Sequence, residues 1–323
     1  MTRRRAFFLG ATCVATWPTA SRGQAAGGIQ RIAYLGTSTS SAHLETAFTG
    51  ALRGLGYVAG KNLSLEVRYA TDPARVPAAV KELMAIKPIV LVCATDILAR
   101  DALAAGAAVP VVFALGFDPV GIGLVKSLRS PGGRATGFSV LNWELNAKRM
   151  SLLKEALPNL KTVAVVYRDG DSAKAALDLT ERAAHELGIG VIRAPIAGAD
   201  DFGAAFKRMS DGSAKAVINV PDVLFFKWRE QLAALALQHR IAAMFGASEY
   251  VEAGMLLSYG TDFRALFVRA AALADRVVKG ADPAGIPVEQ ANTFDLVVNR
   301  RTARTLGIDL PRSLLLQATR VIE

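Results

Sequence analysis

Acids, hydroxyls and aromatic rings recur in this chain where an apolar run gives way to a loop. Open α/β sheets present groups to a ligand in this way, at the C-terminal ends of strands. Thr37, Ser38, Thr39 and Ser40 lie between the apolar run 31–36 and a helical pattern that starts near Ala42. Hydroxyls and backbone N–H groups at a helix start suit a carboxylate, and they equally serve as helix caps. Thr95 and Asp96 follow the apolar run 89–93, where Asp96 opens a helix and capping is its simplest role. Pro119 disfavours helix at Asp118 and so holds Phe117 and Asp118 on an extended loop after the run 110–115. Further along, Tyr167 ends an apolar run and Asp222 follows another, while Ser248, Glu249 and Asp262 hold similar positions. Acids from both halves would grip an ammonium group through charge-assisted hydrogen bonds. Phe117, Phe138 and Tyr167 would stack on a hydrophobic ligand or fill a core.

Covalent chemistry has little to stand on. The three histidines, His43, His185 and His239, fall on or near the ends of helices, and none adjoins a nucleophile in a recognisable motif. No nucleophile elbow, phosphate loop or zinc spacing is present, so neither enzyme, cofactor nor metal site is expected. Cys93 sits in a buried-strand pattern, as an inert core thiol.

The elements that must position these groups alternate. Strands are predicted at 31–36, 63–69, 89–93 and 110–115, with helices at 42–55, 74–86 and 96–107. A short amphipathic helix is predicted at 120–128, ahead of a new apolar segment near Ala135. After Pro158 the alternation restarts. Strands fall at 162–167, 191–194, 216–220, 241–245 and 255–258, and helices at 172–187, 202–209, 222–239 and 263–279, with a further helix at 143–156 just before the break. The tail adds a strand at 294–298, a helix at 300–306 and a closing segment at 311–315. This alternation predicts an α/β fold of two similar Rossmann-like lobes with parallel sheets. Lobe one covers 30–142 and lobe two 143–261. Residues 262–323 supply a crossover helix and a C-terminal segment, part of which completes lobe one. Lobes joined by several crossings hinge, with a ligand cleft between them.

Composition narrows the function classes. Of 323 residues, 52% are hydrophobic and 20% charged, enough apolar surface for a large folded core. The apolar runs fall short of the ~18 residues that span a bilayer. The first 25 residues, with Arg3, Arg4 and Arg5 before a modest apolar stretch and small residues at Ala25, read as an export signal. Cleavage is expected after Ala25, by the general secretory or twin-arginine route. Loss of Arg3, Arg4, Arg5 and Arg22 lowers the net charge of +10 to about +6, scattered without a basic stripe, so no nucleic-acid partner is expected. Cys13 lies within the signal, which leaves Cys93 alone and no intramolecular disulfide.

Three stretches carry a resemblance. They are Gly56-Tyr57-Val58 with Gly60-Lys61-Asn62; Pro110-Val111-Val112-Phe113 through Asp118-Pro119-Val120-Gly121 to Thr136-Gly137; and Leu296-Val297-Val298-Asn299 with Leu306-Gly307-Ile308, Pro311 and Ser313-Leu314-Leu315. The chain resembles the extracytoplasmic substrate-binding proteins of ABC transporters, in the subgroup that includes tryptophan- and tyrosine-binding members. The resemblance implies the type I periplasmic-binding architecture and a periplasmic monomer. It also implies hinge closure on a small molecule, which ABC permease subunits then receive. It points to the Asp222 and Asp262 loops for an amino-acid ligand, with a departure at Val223, where members often carry a polar residue. A periplasmic sensor that signals to a membrane receptor is the alternative reading.

Overall fold

The computed structural model describes residues 28–140 and 145–323. The expected export signal at 1–25, and the start of the helix expected at 143–156, lie outside the described residues.

In chain order the elements begin β1 (Gln30–Gly36), α1 (Ala42–Gly54), β2 (Leu63–Tyr69), α2 (Val76–Ala85), β3 (Val90–Thr95), α3 (Asp96–Ala104), β4 (Val111–Gly116) and β5 (Ala135–Ser139). Next come α4 (Asn146–Ala156), β6 (Thr162–Arg168), α5 (Asp171–Glu186), β7 (Gly190–Ile196), α6 (Phe202–Asp211) and β8 (Ala216–Asn219). They are followed by α7 (Val223–Lys227), α8 (Arg229–Gln238), β9 (Ala242–Phe245), α9 (Ser248–Glu252) and β10 (Leu257–Thr261). The chain closes with α10 (Phe263–Val278), β11 (Glu289–Gln290), β12 (Phe294–Asn299), α11 (Arg300–Leu306), α12 (Arg312–Gln317) and β13 (Arg320–Ile322).

Two sheets result. One runs β11-β5-β4-β3-β1-β2 and the other β13-β12-β10-β9-β8-β6-β7. All neighbours pair in parallel except β10 with β12. Helices cover both faces, so every residue of the inner strands β3, β4, β8 and β9 is buried, and each is apolar except where β3 ends at Thr95 and β8 at Asn219. The chain passes from the first sheet to the second before α4. It comes back with α10 and β11, and goes over again with β12. α10 packs on α1 and β4 through a stripe that includes Leu266, Phe267, Ala270, Ala271 and Ala274, all fully buried. Asp262 starts this helix, its Oδ1 accepting from Ala265 N at 3.0 Å.

Two expectations fail. The helix expected at 120–128 does not form. Asp118 Oδ1 accepts from Gly121 N at 2.9 Å, and the backbone bonds Gly123 to Val120 and Leu124 and Val125 both to Pro119. Gly123, at φ +73°, then turns the chain through the left-handed region where helix cannot continue. The single helix expected at 222–239 is two helices, α7 and α8, parted at Trp228.

Candidate ligand-binding cleft

A cavity of about 380 Å³ is lined by residues of both lobes, within the ~300–1,000 Å³ range of small-molecule sites. From lobe one, Thr37 and Ser38 follow β1, Thr71 follows β2, Thr95 ends β3 and Phe117 follows β4. Lobe two answers with Arg168 at the end of β6, Asn219 at the end of β8, and Asp222 three residues on. Each of these ends a strand or begins a loop at the same edge of its parallel sheet, as the alternating pattern demands.

The lobe-one wall is braced by hydrogen bonds. Thr71 Oγ1 donates to the Thr37 carbonyl at 2.8 Å, tying the loops after β1 and β2. Thr95 Oγ1 accepts from Leu98 N at 3.2 Å and so caps α3 while lining the cavity. Asp96, 1% exposed, accepts from Ile97 N and from Asp118 N, each at 2.9 Å. One buried carboxylate thereby joins the loops that carry Thr95 and Phe117. Burial raises its pKa to about 6, against the pull of the backbone N–H groups it receives.

Aromatic rings form one side of the cavity. Phe117 meets Phe263 edge-on at 6.4 Å, Phe263 lies 6.0 Å from Phe226, and Phe226 meets Tyr250 edge-on at 5.9 Å. These four rings run from the lobe-one loop, across the start of α10, to α7 and α9. Charge is concentrated on the lobe-two side, where Arg168 Nε and Nη2 reach Asp222 Oδ2 at 2.9 and 2.8 Å. Beside the cavity, His43 of α1 lies 3.2 Å from Glu249 of α9, a polar contact between lobes.

The structure thus brings Thr37, Ser38, Thr95, Phe117 and Asp222 to one cavity. Others named from the sequence are placed elsewhere. Asp118 caps the turn below Phe117, Phe138 is buried beneath the Arg269 guanidinium, and Tyr167 packs into the second core. Asp262 caps α10, Glu249 faces His43 with Ser248 beside it, and Thr39 is exposed outside the cavity lining. The side chain of Ser40 lies outside what the structure describes. Sequence reasoning missed Arg168, Asn219, Phe226, Tyr250 and Phe263. Three of these directly follow residues it did name, since Arg168 succeeds Tyr167, Tyr250 succeeds Glu249 and Phe263 succeeds Asp262. The alternation of faces along a strand, or a cap followed by its helix, was the available signal.

Known proteins share this fold. A tyrosine-binding protein of Clostridioides difficile (strain R20291) is 25% identical over 267 residues, covering 82% of this chain and 76% of that protein. The ABC domain of Streptococcus pneumonia solved in complex with L-Trp superposes with a TM-score of 0.82 at 25% identity, over 91% of this chain and 100% of that one. A conserved domain protein from Vibrio cholerae gives 0.82 at 28% identity, with the same two coverages. The two mostly parallel α/β sheets are those of type I periplasmic-binding structures. Residues 39–322, nearly all of the two lobes, match a single family profile, and the chain belongs to the ABC transporter substrate binding protein family.

Proposed function

We propose that this protein captures an aromatic or hydrophobic amino acid between its lobes and delivers it to the permease of an ABC uptake system. The observation that carries the reading is the cavity itself. A wall of four rings adjoins hydroxyls on one lobe and a paired acid and guanidinium on the other. A zwitterion with an apolar side chain needs those three parts together. Thr37 and Ser38 would receive the carboxylate, Asp222 the ammonium, and Phe117 with the other rings the side chain. The names of the relatives agree, one a tyrosine-binding protein and one holding L-Trp.

Binding is the whole of its chemistry in this reading, without catalysis. It works as a periplasmic monomer once residues 1–25 have been removed, and no described helix is long and apolar enough to cross a membrane. Thermal-shift screening of the exported protein against amino acids and organic acids tests this. A ligand at 100 times its dissociation constant adds about 2.7 kcal/mol of stability. L-Tryptophan, L-tyrosine or L-phenylalanine should raise the melting temperature. A shift with another class and none with these three would overturn the ligand assignment.

A further inference from the structure

Among the described residues, three buried side-chain oxygens find no hydrogen-bond partner: Asn219 Oδ1, Ser258 Oγ and Thr261 Oγ1. Of these residues only Asn219 lines the cavity. It stands at the last position of β8, 2% exposed, on a strand whose other residues are Ala216, Val217 and Ile218. An apolar residue would satisfy that position at no cost. The amide instead carries the desolvation of an acceptor that the fold does not use. The backbone carbonyl of Asn219 receives Asn146 Nδ2 at 3.4 Å, so the strand end is held without the side chain.

We infer that the Asn219 amide is a specificity-determining group, which receives an N–H or O–H donor on the ring of the bound aromatic amino acid. The inference rests on the ligand class proposed above. Two placements of the ligand compete, and charge decides between them. Arg168 and Asp222, 49% and 19% exposed at their side chains, line the cavity together with Lys227 on the lobe opposite the Thr37 and Ser38 loop. An ammonium carried past them to a neutral amide would exchange a charged partner for an uncharged one in a drier place, at a large cost. The neutral ring donor of tyrosine or tryptophan loses far less on burial, and it meets an acceptor that otherwise has none. Phenylalanine leaves that acceptor unpaired. A site built to hydrogen-bond a ligand hydroxyl or amine rejects the analogue lacking it much more strongly than an apolar pocket rejects a change in size.

The test compares calorimetric affinities of the whole exported protein for L-tyrosine against L-phenylalanine, and for L-tryptophan against 1-methyl-L-tryptophan. In the unaltered protein the member with the ring donor should bind at least about tenfold more tightly in one of the pairs. Asn219→Leu should bring that ratio close to one, chiefly by weakening the donor-bearing ligand. The ligand-free Leu variant should also melt no lower than the parent, because it loses an unpaired polar group and keeps its volume. Asn219→Ser, a smaller change, guards against misfolding of the Leu variant and should narrow the same ratio. Ratios near one in the unaltered protein, or ratios that survive both substitutions, would overturn the inference and leave the aromatic-ligand reading standing. A melting temperature lowered by more than about 5 °C in both variants would mark a structural amide and overturn it as well. Failure of all four compounds to bind would overturn the ligand reading and this inference with it.

Discussion

At the scale of single residues, two carboxylates sit in different settings. Asp96 is ionised at neutral pH in a site that disfavours charge, with a folded pKa near 6 against 3.8 unfolded. Between those values the folded protein holds the proton that the unfolded chain releases. Stability therefore falls as pH rises from 4 to 6, by on the order of 3 kcal/mol from this group alone. Asp96→Asn should remove that component, which urea denaturation at pH 4, 5, 6 and 7 would show as a flatter dependence than in the parent. An unaltered profile would mean that Asp96 is not the source. Asp222 is different, since its carboxylate already receives the Arg168 fork on the cavity wall. Asp222→Ala removes the proposed ammonium partner and leaves Arg168 facing the ligand. A loss of at least about tenfold in amino-acid affinity is expected by calorimetry, with little change in melting, because Arg168 is half exposed and the pair adds little to folding. Equal affinity for the variant and the parent would remove Asp222 from the proposed site.

At the scale of elements, the close approach of two backbones near the cavity allows no side chain. A Cβ on Gly260 of β10 would fall 1.8 Å from the Gly246 carbonyl oxygen, and Gly246 itself lines the cavity. Gly260→Ala must push β10 away from the loop after β9, or push that loop into the cleft. A cost of about 3 kcal/mol in urea denaturation is expected, together with weaker ligand binding. Gly50, in the exposed middle of α1 with open space around it, is the control, and its replacement by Ala should be neutral or slightly stabilising. The segment after β4 shows how far local pattern reaches. Its apolar spacing suits a helix, but Pro119, Gly121 and Gly123 put bonds and dihedrals there that only turns satisfy. The sequence already held that information in its glycines.

At the scale of the whole molecule, the contact of His43 with Glu249 joins α1 of one lobe to α9 of the other. A contact between lobes favours the conformation in which it forms, and a ligand held by both lobes draws on the same equilibrium. His43→Ala should raise the dissociation constant of an aromatic amino acid by up to about tenfold, the scale of one net hydrogen bond. Small-angle scattering should show the parent contracting when ligand is added. A dissociation constant unaffected by the substitution would deny the contact any part in closure.

The sequence by itself determined the fold class and most of the elements, because a strand buried on both faces is apolar along most of its length and a helix must repeat near every 3.6 residues. It also located the strand ends where Thr37, Ser38, Thr95, Phe117 and Asp222 meet. Only the tertiary structure decided which of two neighbouring residues lines the cleft. Tyr167 turns into a core while Arg168 lines the cavity, and Asp262 turns back to cap the helix that carries Phe263 to it. A shift of one residue reverses the face that a strand presents, and no local pattern distinguishes a core on one side from a cavity on the other. Which elements of the tail return to the first sheet, α10 and β11, was likewise settled by packing, since they meet segments more than a hundred residues away.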